Sequence, residues 1–402
     1  MSKNKVISWS LVFIFSVLTV FQISIPVRGQ SDFEYEITDD EVTITDYLGT
    51  SSEVVIPNSI EEYPVTTIGK WAFSDNNLSE VVIPDNVVTM ERNAFSDNKL
   101  SEVVIPDNIV TIERSAFSDN KLTEISIGKG VTTIGTWAFS DNNLSEVNIP
   151  DNVIDIERNA FSRNELTELS IGKGVTTIGT WAFSDNKLSE VVIPDNIVTI
   201  ERSAFSDNKL TEISIGKGVT TIGEWAFSDN NLSEVNIPDN VIDIKRNAFS
   251  RNELTEISIG KGVTTIGTWA FSDNKLTEIS IGKGVTTIGT WAFSNNQSNP
   301  SDLTIKGYED SEAHIYALEN EHTFKKLSKT ETEGDFLYGD VNGDGIIDST
   351  DAALLTRYIL NIIDEFSNEK GHMAADINQD GKIDSIDYTL LSRHILGVIN
   401  EF

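Results

Sequence analysis

The dipeptide Ala-Phe recurs every 22 residues over more than half of the chain, and this repeat limits the folds available to it. A unit of this length forms one coil that cannot bury its apolar side alone, so successive coils must stack into a solenoid. The repeated phenylalanines are Phe73, Phe95, Phe117, Phe139, Phe161, Phe183, Phe205, Phe227, Phe249, Phe271 and Phe293.

One unit, residues 122–143, shows the internal pattern. Ile125 and Ile127 alternate with polar neighbours, which predicts a strand in a parallel sheet. Turns such as Pro84-Asp85-Asn86 or Gly128-Lys129-Gly130 then redirect the chain. The columns expected to be buried are those of Leu122, Ile125, Ile127, Val131, Ile134 and Phe139.

The L-x-x-I-x-I and A-F-x-x-N pattern resembles the BspA-like leucine-rich repeat, from about Phe33 to Leu327. The resemblance implies a right-handed, curved solenoid and a family of mostly bacterial surface or secreted binders. Residues 100–187 and 188–275 differ only at the pairs Thr136/Glu224, Glu157/Lys245 and Leu169/Ile257, which indicates a recent duplication. The predicted fold class is therefore a mainly β solenoid of 22-residue coils with parallel strands, followed by a small α-helical module.

That module contains two oxygen-rich loops, residues 340–351 and 376–387, each followed by a helical pattern. Oxygen side chains at loop positions 1, 3, 5, 9 and 12, with Gly at 6 and a backbone carbonyl at 7, fit the six to eight oxygens that calcium requires. Neither loop has a convincing helix before it. The predicted ligands of two Ca²⁺ ions are Asp340, Asn342, Asp344, Ile346, Asp348, Asp351, Asp376, Asn378, Asp380, Lys382, Asp384 and Asp387.

Asp, rather than Glu, at loop position 12 and the missing first helices give a pattern that resembles a type I dockerin, from roughly Gly334 to Phe402. The resemblance implies a module that folds on calcium and docks into a cohesin domain on a scaffolding protein of a cellulosome-like complex. Thr350 and Ile386 differ at position 11, which leaves open whether both copies dock. The resemblance assigns cohesin contact to Ser349, Thr350, Thr356, Arg357, Ser385, Ile386, Ser392 and Arg393.

The N-terminus predicts export. Lys3 and Lys5 precede an apolar stretch at 6–25, and small residues precede Gln30, as in a cleaved signal peptide. The stretch is also long enough to span a bilayer, so an uncleaved anchor is the alternative. We expect a secreted, extracellular protein, in a cellulosome or cell-surface complex, with no membrane association after cleavage.

The rhythm of the sequence suggests six segments. They are a signal peptide at 1–29, an N-terminal cap at 30–68, the repeat solenoid at 69–297, a C-terminal cap at 298–327, a linker at 328–334 and the dockerin-like module at 335–402.

Polar columns on the coils have separate interpretations. The Asn column from Asn76 to Asn296 is expected to satisfy backbone groups at a buried bend. A Glu column from Glu80 to Glu278 is expected to form a solvated acidic face that attracts cations or a basic partner. Its carboxylates share one environment, which argues against a glycosidase pair. A column alternating Asp and Lys, such as Asp107 and Lys129, is expected to pair across coils.

A Trp column suggests a second kind of surface. From Trp137 to Trp269 a Trp occurs on every second coil, with Asn159, Ser203 and Asn247 between. Two coils are about 10 Å, close to the two-sugar repeat of a β-1,4-linked glucan, so the row could bind polysaccharide. Packing of each Trp over its own coil is the favoured alternative. The candidate glycan-binding residues are Trp137, Trp181, Trp225 and Trp269.

Charge and motifs exclude other functions. A net charge of −33 makes nucleic acid a poor partner. The four His residues are scattered, and no phosphate loop or nucleophile motif occurs, so we expect no catalysis and no cofactor apart from calcium. The prediction is a non-catalytic subunit whose dockerin binds cohesin and whose repeats form a protein-binding or adhesion surface. The alternative is a carbohydrate-binding solenoid that targets plant polysaccharide during its breakdown.

Overall fold

The computed structural model describes residues 32–327, 337–366, 370–378 and 381–399. The predicted signal peptide at 1–29, the linker at 328–334 and the ligand Asp380 lie outside these residues. Within them, every coil of the solenoid contributes two short strands on different sides of a shared core.

One set of strands, with two residues each in the regular coils, forms a continuous sheet of 14 strands along the solenoid. It begins with a hairpin. From the second strand of that hairpin onward the strands pair in parallel, except that Ser59–Ile60 lies off this path and pairs antiparallel with Tyr63–Ile68. The strands are β1 (Phe33–Thr38), β2 (Glu41–Tyr47), β4 (Ser59–Ile60), β5 (Tyr63–Ile68), β7 (Thr89–Met90), β9 (Thr111–Ile112), β11 (Thr133–Ile134), β13 (Asp155–Ile156), β15 (Thr177–Ile178), β17 (Thr199–Ile200), β19 (Thr221–Ile222), β21 (Asp243–Ile244), β23 (Thr265–Ile266) and β25 (Thr287–Ile288).

The strand that the Ile125/Ile127 alternation predicts is present in each coil, with its first and third residues facing outward. These strands are β3 (Glu53–Val55), β6 (Glu80–Val82), β8 (Glu102–Val104), β10 (Glu124–Ser126), β12 (Glu146–Asn148), β14 (Glu168–Ser170), β16 (Glu190–Val192), β18 (Glu212–Ser214), β20 (Glu234–Asn236), β22 (Glu256–Ser258) and β24 (Glu278–Ser280). Up to β22 they pair in parallel two by two, as in β8 with β10 and β12 with β14, whereas β24 pairs with the strand Thr304–Gly307 that follows the last coil. They therefore do not form one sheet.

This pairwise arrangement follows the alternation of the turns. Gly128 approaches the backbone of Pro106 on the preceding coil so closely that a β-carbon would overlap its carbonyl group. The same contact joins Gly172 to Pro150. A Gly coil therefore packs tightly against the Pro coil before it, and the strands of those two coils share hydrogen bonds.

The repeated phenylalanines fill the interior. All are fully buried, and consecutive rings stack with centroids 5.0 to 5.6 Å apart. Leu122, Val131 and Ile134 are also fully buried, whereas Ile125 and Ile127 are partly exposed. The predicted core columns therefore form one continuous apolar core.

Both ends of the solenoid are covered. At the N-terminal end, β1 pairs antiparallel with β2 through a turn at Asp39 and Asp40, whose φ angles are 54° and 64°. At the C-terminal end lie a 3-10 turn (Pro300–Asp302), β26 (Thr304–Gly307), α1 (Glu312–Glu319) and β27 (Thr323–Lys326). Tyr316 is buried against Phe293 and accepts a hydrogen bond from its backbone N–H at 3.1 Å. This bond closes the last coil.

The C-terminal module is helical. It consists of α2 (Ser349–Ile359), α3 (Gly371–Ala375) and α4 (Ser385–Ile395), and α2 packs against α4. Its small core contains Val341, Leu355, Phe366, Ile377 and Leu391. The expectation that no helix precedes the second loop is wrong, because α3 ends one residue before Asp376. Its first residue, Gly371, packs closely against Phe366, a contact that the spacing of apolar residues does not reveal.

Among the described residues, no helix is both long and apolar enough to cross a membrane.

Candidate functional site

The first acidic loop is organised around the carboxylate of Asp340. Its Oδ1 accepts hydrogen bonds from the backbone N–H groups of Gly343 and Asp344, at 2.9 and 3.1 Å, and its Oδ2 accepts one from Gly345 at 2.8 Å. Gly345 has a φ of 84°, which a residue with a side chain rarely adopts. The loop therefore turns sharply at loop position 6, as the motif requires.

Asp351 joins this loop to helix α2. Its side chain is fully buried, and its two oxygens accept hydrogen bonds from the backbone N–H groups of Asn342 and Asp348, both at 3.0 Å. Burial raises the pKa of Asp351 above its usual value, although these hydrogen bonds act in the opposite direction. Asp348 caps the helix through the N–H of Thr350 at 2.7 Å, and this bond lowers the pKa of Asp348.

The second loop repeats this arrangement where it is described. Asp387 is fully buried and accepts hydrogen bonds from Ile377, Asn378 and Asp384. Asp376 accepts one from Gly381 at 2.9 Å. The two halves of the module thus have matching buried carboxylates and matching capping boxes at α2 and α4.

The donor atoms of both loops fit a hard cation. Loop 340–351 has four carboxylates and an amide and contains no Lys or Arg, and oxygen donors are what calcium prefers. Among the described residues, however, no three His, Asp or Glu side chains converge closely enough to form a metal site. The carboxylate of Asp348 accepts a hydrogen bond from the first turn of α2, and that of Asp351 accepts hydrogen bonds from the loop backbone. The proposed ligand set therefore rests on donor chemistry and spacing.

The residues that the sequence assigns to cohesin contact lie at the starts of α2 and α4 and toward the C-terminal ends of these helices. Thr356 and Ser392 are half-buried. The other six are exposed, and they are Ser349, Thr350, Arg357, Ser385, Ile386 and Arg393. The apolar Ile386 remains 53% exposed, so one copy presents a hydrophobic side chain where the other presents a hydroxyl group.

On the solenoid, the outward face of β6 through β24 carries the Glu column. Glu102 lies directly opposite Glu124, and Glu146 lies opposite Glu168, with exposed side chains. Like charges in register destabilise a sheet. Among the described residues of this column, an ion pair is found at Glu278, which contacts Lys306 at 2.7 Å. We call this surface the acidic strand face.

The Asn column has the structural role that the sequence predicts. Asn142 Nδ2 donates to the carbonyl groups of Phe117, Phe139 and Ser140, and its Oδ1 accepts from the N–H of Leu122 at 3.0 Å. Every other interior member makes equivalent bonds, so the column is confirmed as an internal ladder between coils.

The predicted ion pairing of the Asp and Lys column is wrong. Asp107 Oδ1 accepts a hydrogen bond from the backbone N–H of Lys129 at 2.8 Å, and Asp151 accepts one from the backbone of Lys173. The Asp of each Pro turn thus accepts a hydrogen bond from the backbone of the Gly turn on the next coil. This contact between coils does not involve the Lys side chains. Side-chain pairs occur elsewhere, as between Arg163 and Asp141 at 3.5 Å.

Trp137 and Trp181 do not present bare ring faces to solvent. Trp137 and Trp181 are half-buried, and Arg158, from the coil between them, lies 5.9 and 4.5 Å from their ring centroids. Arg114 lies 4.5 Å from Trp137. Each Arg precedes a small residue in the Trp column, and this Arg-Asn or Arg-Ser pattern was the signal that could have indicated the stacking.

A groove runs beside this Arg–Trp stack. It has a volume of about 710 Å³, and it lies along the edges of the coils between Trp137 and Trp181. The lining residues are Trp137, Asp141, Arg158, Asn159, Ser162, Arg163, Trp181, Ser184, Asp185, Ser206 and Asp207. We call this the Trp137–Trp181 groove.

Burial also affects a column of Asp residues along the groove, one per coil, that includes Asp119, Asp141, Asp185, Asp207 and Asp229. The pKa of Asp207 is raised by burial and by the neighbouring Asp229, and that of Asp119 by burial and Asp141. Arg251 contacts Asp229 at 3.3 Å and interrupts the row, as Arg163 does one duplication earlier. The row therefore mixes charges, with no continuous acidic strip.

Comparisons with known families match both parts of the chain. The model of the BspA-type leucine-rich repeat region matches residues 66–189 and 176–300, and that of the type I dockerin domain matches residues 338–396. A curated relative, the cellulase/esterase CelE of Acetivibrio thermocellus, is 60% identical over 38 residues, which cover 10% of this chain. The matched region spans only 5% of the length of CelE.

Solved structures resemble each part separately. A leucine-rich repeat protein from Bacteroides ovatus is 21% identical, with 74% of this chain and 98% of that chain covered and a TM-score of 0.49. The ScaB dockerin from Acetivibrio cellulolyticus, solved in complex with the third cohesin of ScaC, is 43% identical. That match covers 17% of this chain and 92% of the other, with a TM-score of 0.17.

Proposed function

Because the chain belongs to the BspA-type leucine-rich repeat family and carries a type I dockerin domain, we propose that it is a non-catalytic subunit of a cellulosome-type complex. Its dockerin binds a cohesin domain on a scaffolding protein, and its solenoid presents a binding surface. The single observation that carries the docking proposal is the dockerin match over residues 338–396, on a module in which α2 and α4 each expose three of the predicted recognition residues.

Calcium is part of this proposal. Two ions would be held, one by Asp340, Asn342, Asp344 and Asp351 with their loop neighbours, and one by the equivalent positions of the second loop. When bound, each ion supplies positive charge that offsets the repulsion among the carboxylates. The protein's own part is to fix the loops, through backbone hydrogen bonds to Asp340 and Asp351 and through the helix caps.

Docking can be tested by calorimetry of the full chain against a panel of type I cohesins. We expect tight binding to at least one cohesin in calcium and none after chelation. Replacement of all four recognition residues at positions 10 and 11 with Ala (S349A/T350A/S385A/I386A) is expected to abolish binding. The exposed substitution Asp364→Asn serves as a matched control. A chain that binds no cohesin in calcium would overturn the docking proposal.

For the solenoid, we propose that the acidic strand face binds a basic protein. Its Glu side chains repel one another in register, so a cationic partner would relieve this repulsion. Val82, Val104 and Val192 lie on the same face and are 44%, 55% and 65% exposed, which adds apolar contact area. Binding should weaken steeply as salt rises, and charge reversal of Glu102 and Glu124 to Lys should remove it. Retained binding by that variant would contradict the assignment of the face.

Export and the domain limits belong to the same proposal. We propose a secreted, extracellular protein with the signal peptide at 1–29, caps at 30–68 and 298–327, a solenoid at 69–297, a linker at 328–334 and the dockerin module at 335–402. Sequencing the N-terminus of the exported protein tests the cleavage site. Any catalytic step of polysaccharide breakdown would come from enzymes docked beside this subunit.

Carbohydrate binding is the second candidate function. The Arg–Trp stack does not support a flat platform of Trp faces with a 10 Å repeat, because guanidinium groups lie over the rings. What supports the candidate is the Trp137–Trp181 groove, where two indole rings and several polar groups converge.

A further inference from the structure

We propose that the Trp137–Trp181 groove and its duplicate four coils later each bind a segment of a neutral polysaccharide chain. This inference rests on the carbohydrate-binding candidate and is independent of the docking proposal. The groove's volume of about 710 Å³ lies within the usual range of about 300–1,000 Å³ for small-ligand sites.

The shape of the groove follows from one small residue. Asn159 occupies the position that Trp137 and Trp181 occupy on the coils on either side, and all three have nearly the same φ, between 56° and 57°. Because Asn is smaller than Trp, the row has a gap at that coil. The Arg158 guanidinium group lies against both flanking rings, and the groove is lined by this stack and by Asn159.

The charges in the groove favour a neutral ligand. Arg163 contacts Asp141 at 3.5 Å, and Asp185 and Arg158 lie on the same walls. An anionic ligand would meet the carboxylates, and a cationic ligand would meet the guanidinium groups, so neither gains a consistent attraction. A ligand rich in hydroxyl groups can accept from Arg, donate to Asp and place its C–H surface against an indole edge.

The duplication places an equivalent set of side chains four coils later, with Asn295 in the place of Asp207. Trp225, Asp229, Asn247, Arg251 and Trp269 take the places of Trp137, Asp141, Asn159, Arg163 and Trp181. Arg246 lies 4.7 Å from the Trp269 centroid, and Arg251 contacts Asp229 at 3.3 Å, as their counterparts do. Two similar sets of residues along one solenoid suit a polymer, because a single chain can contact both.

The sequence itself offers a variant that closes the groove without new backbone strain. Arg158→Thr with Asn159→Trp reproduces the Thr136-Trp137 pair of the preceding coil, in the same backbone conformation. Adjacent coils tolerate two Trp residues, since Trp269 and Trp291 stack at 5.3 Å. The control is Asn159→Ser, which reproduces the Arg114-Ser115 pair and leaves the gap open.

The test is affinity electrophoresis of the full chain in calcium through gels containing hydroxyethylcellulose, glucomannan, arabinoxylan or polygalacturonate. We expect retardation by at least one neutral polymer. The variant R158T/N159W/R246T/N247W should lose at least about tenfold in apparent affinity, whereas N159S/N247S should bind as the parent does. Circular dichroism should show both variants to be folded like the parent.

Three results would overturn the inference. They are a parent chain that binds no neutral polymer, a closed-groove variant that binds as well as the parent, and binding restricted to polygalacturonate. Cohesin binding is measured on the same preparations. A failure of glycan binding with intact cohesin binding would remove the groove proposal alone, and the opposite result would remove the docking proposal alone.

Discussion

Gly172 packs against Pro150 of the preceding coil so closely that its α-carbon has no room for a methyl group. Gly282 occupies the same position of the repeat five coils later, but the coil before it has Gly260 where the other coil has Pro. A β-carbon added to Gly282 would meet no atom within 4 Å. The same residue type in the same repeat position is thus constrained in one coil and free in another.

This difference gives the first prediction. Gly172→Ala should destabilise the solenoid by about 1–3 kcal/mol, because the added methyl group overlaps backbone that cannot move without breaking the β12–β14 pair. Gly282→Ala should change stability by less than about 0.5 kcal/mol. Urea unfolding followed by tryptophan fluorescence measures both. Equal effects at the two positions would show that the close contact does not determine the pairing of coils.

The second prediction concerns the Asn ladder. Asn142→Ala removes four hydrogen bonds and leaves the N–H of Leu122 and the carbonyl of Phe117 without this partner inside the solenoid. We expect a loss of about 2–4 kcal/mol. The neighbouring Asn143 is exposed, and Lys already occupies its position in the preceding coil, so Asn143→Ala should be nearly neutral. Thermal unfolding of the two variants in parallel gives the comparison, and similar midpoints would contradict the ladder's role.

The third prediction uses the natural differences between the duplicated halves. Glu157 Oε2 accepts hydrogen bonds from the N–H and the Oγ1 of Thr136, at 2.9 and 2.7 Å. In the second half the corresponding residues are Glu224, which contacts Arg202 at 3.8 Å, and Lys245, which contacts Asp243 at 2.6 Å. The two exchanges therefore replace one contact between neighbouring coils with two separate ion pairs.

We expect Thr136→Glu alone to destabilise the chain, because it places a second carboxylate beside Glu157. Adding Glu157→Lys should restore stability, with a coupling of up to about 1 kcal/mol, since the pair is exposed. A double-mutant cycle at low and high salt measures this coupling. Additive effects that do not depend on salt would show that the two exchanges are independent.

The fourth prediction is a pH dependence at Asp207. Burial and the neighbouring Asp229 raise the pKa of this carboxyl above the value of 3.8 that it has when unfolded. Because the pKa is raised, folding disfavours the charged form of this carboxyl. The charged carboxylate therefore destabilises the folded state at pH values above the raised pKa, and this destabilisation disappears as the pH falls below 3.8. Asp207→Asn should therefore stabilise the solenoid at neutral pH, by no more than about 0.5 kcal/mol, because solvent still reaches part of this side chain and screens its charge.

Unfolding of Asp207→Asn and the parent at pH 7 and at pH 3 checks this prediction, with the solenoid transition as the readout. Asp141→Asn is the matched control, because Asp141 contacts Arg163 and should not gain stability on losing its charge. A stabilisation by Asp207→Asn that is unchanged at pH 3 would contradict the electrostatic cause.

The repeat architecture was predictable from sequence because a 22-residue period fixes which side chains share a column. Phe139 and Asn142 were assigned to the interior correctly, since a buried ring and an amide ladder follow from position alone. The strands represented by β11 were not predicted, because two residues cannot show an alternation. The partner of Asp107 was also missed, since a carboxylate can meet a backbone N–H as readily as a Lys side chain, and only the turn geometry decides between them.

Arg158 shows a different limit. The Trp spacing was read correctly, but the orientation of the rings depends on what fills the gap beside Asn159, and a guanidinium group stacks there. The sequence favours packing of each Trp on its own coil over a flat glycan-binding platform, and the stacking of Arg158 agrees with that preference. In the acidic loops, the sequence indicated the donor atoms, whereas the hydrogen bonds that hold Asp348 and Asp351 depend on how α2 begins.

The fifth prediction follows from the buried carboxylate of Asp351. Both of its oxygens accept backbone N–H groups, so Asp351→Asn would place an amide N–H₂ against one of these donors and remove a charge that a bound cation would use. We expect this variant to lose calcium affinity and to destabilise the module by about 1–3 kcal/mol. Asp364→Asn, on an exposed residue of the same module, should do neither. Calcium titration monitored by circular dichroism, with equilibrium dialysis to count ions, measures both effects.

Chelation should reduce the helical signal of α2 and α4 and leave the β signal of the solenoid unchanged, because the solenoid core contains no loop carboxylate. If the helical signal survives EDTA, the two halves of the module are held by their apolar core alone, and the requirement for calcium is wrong.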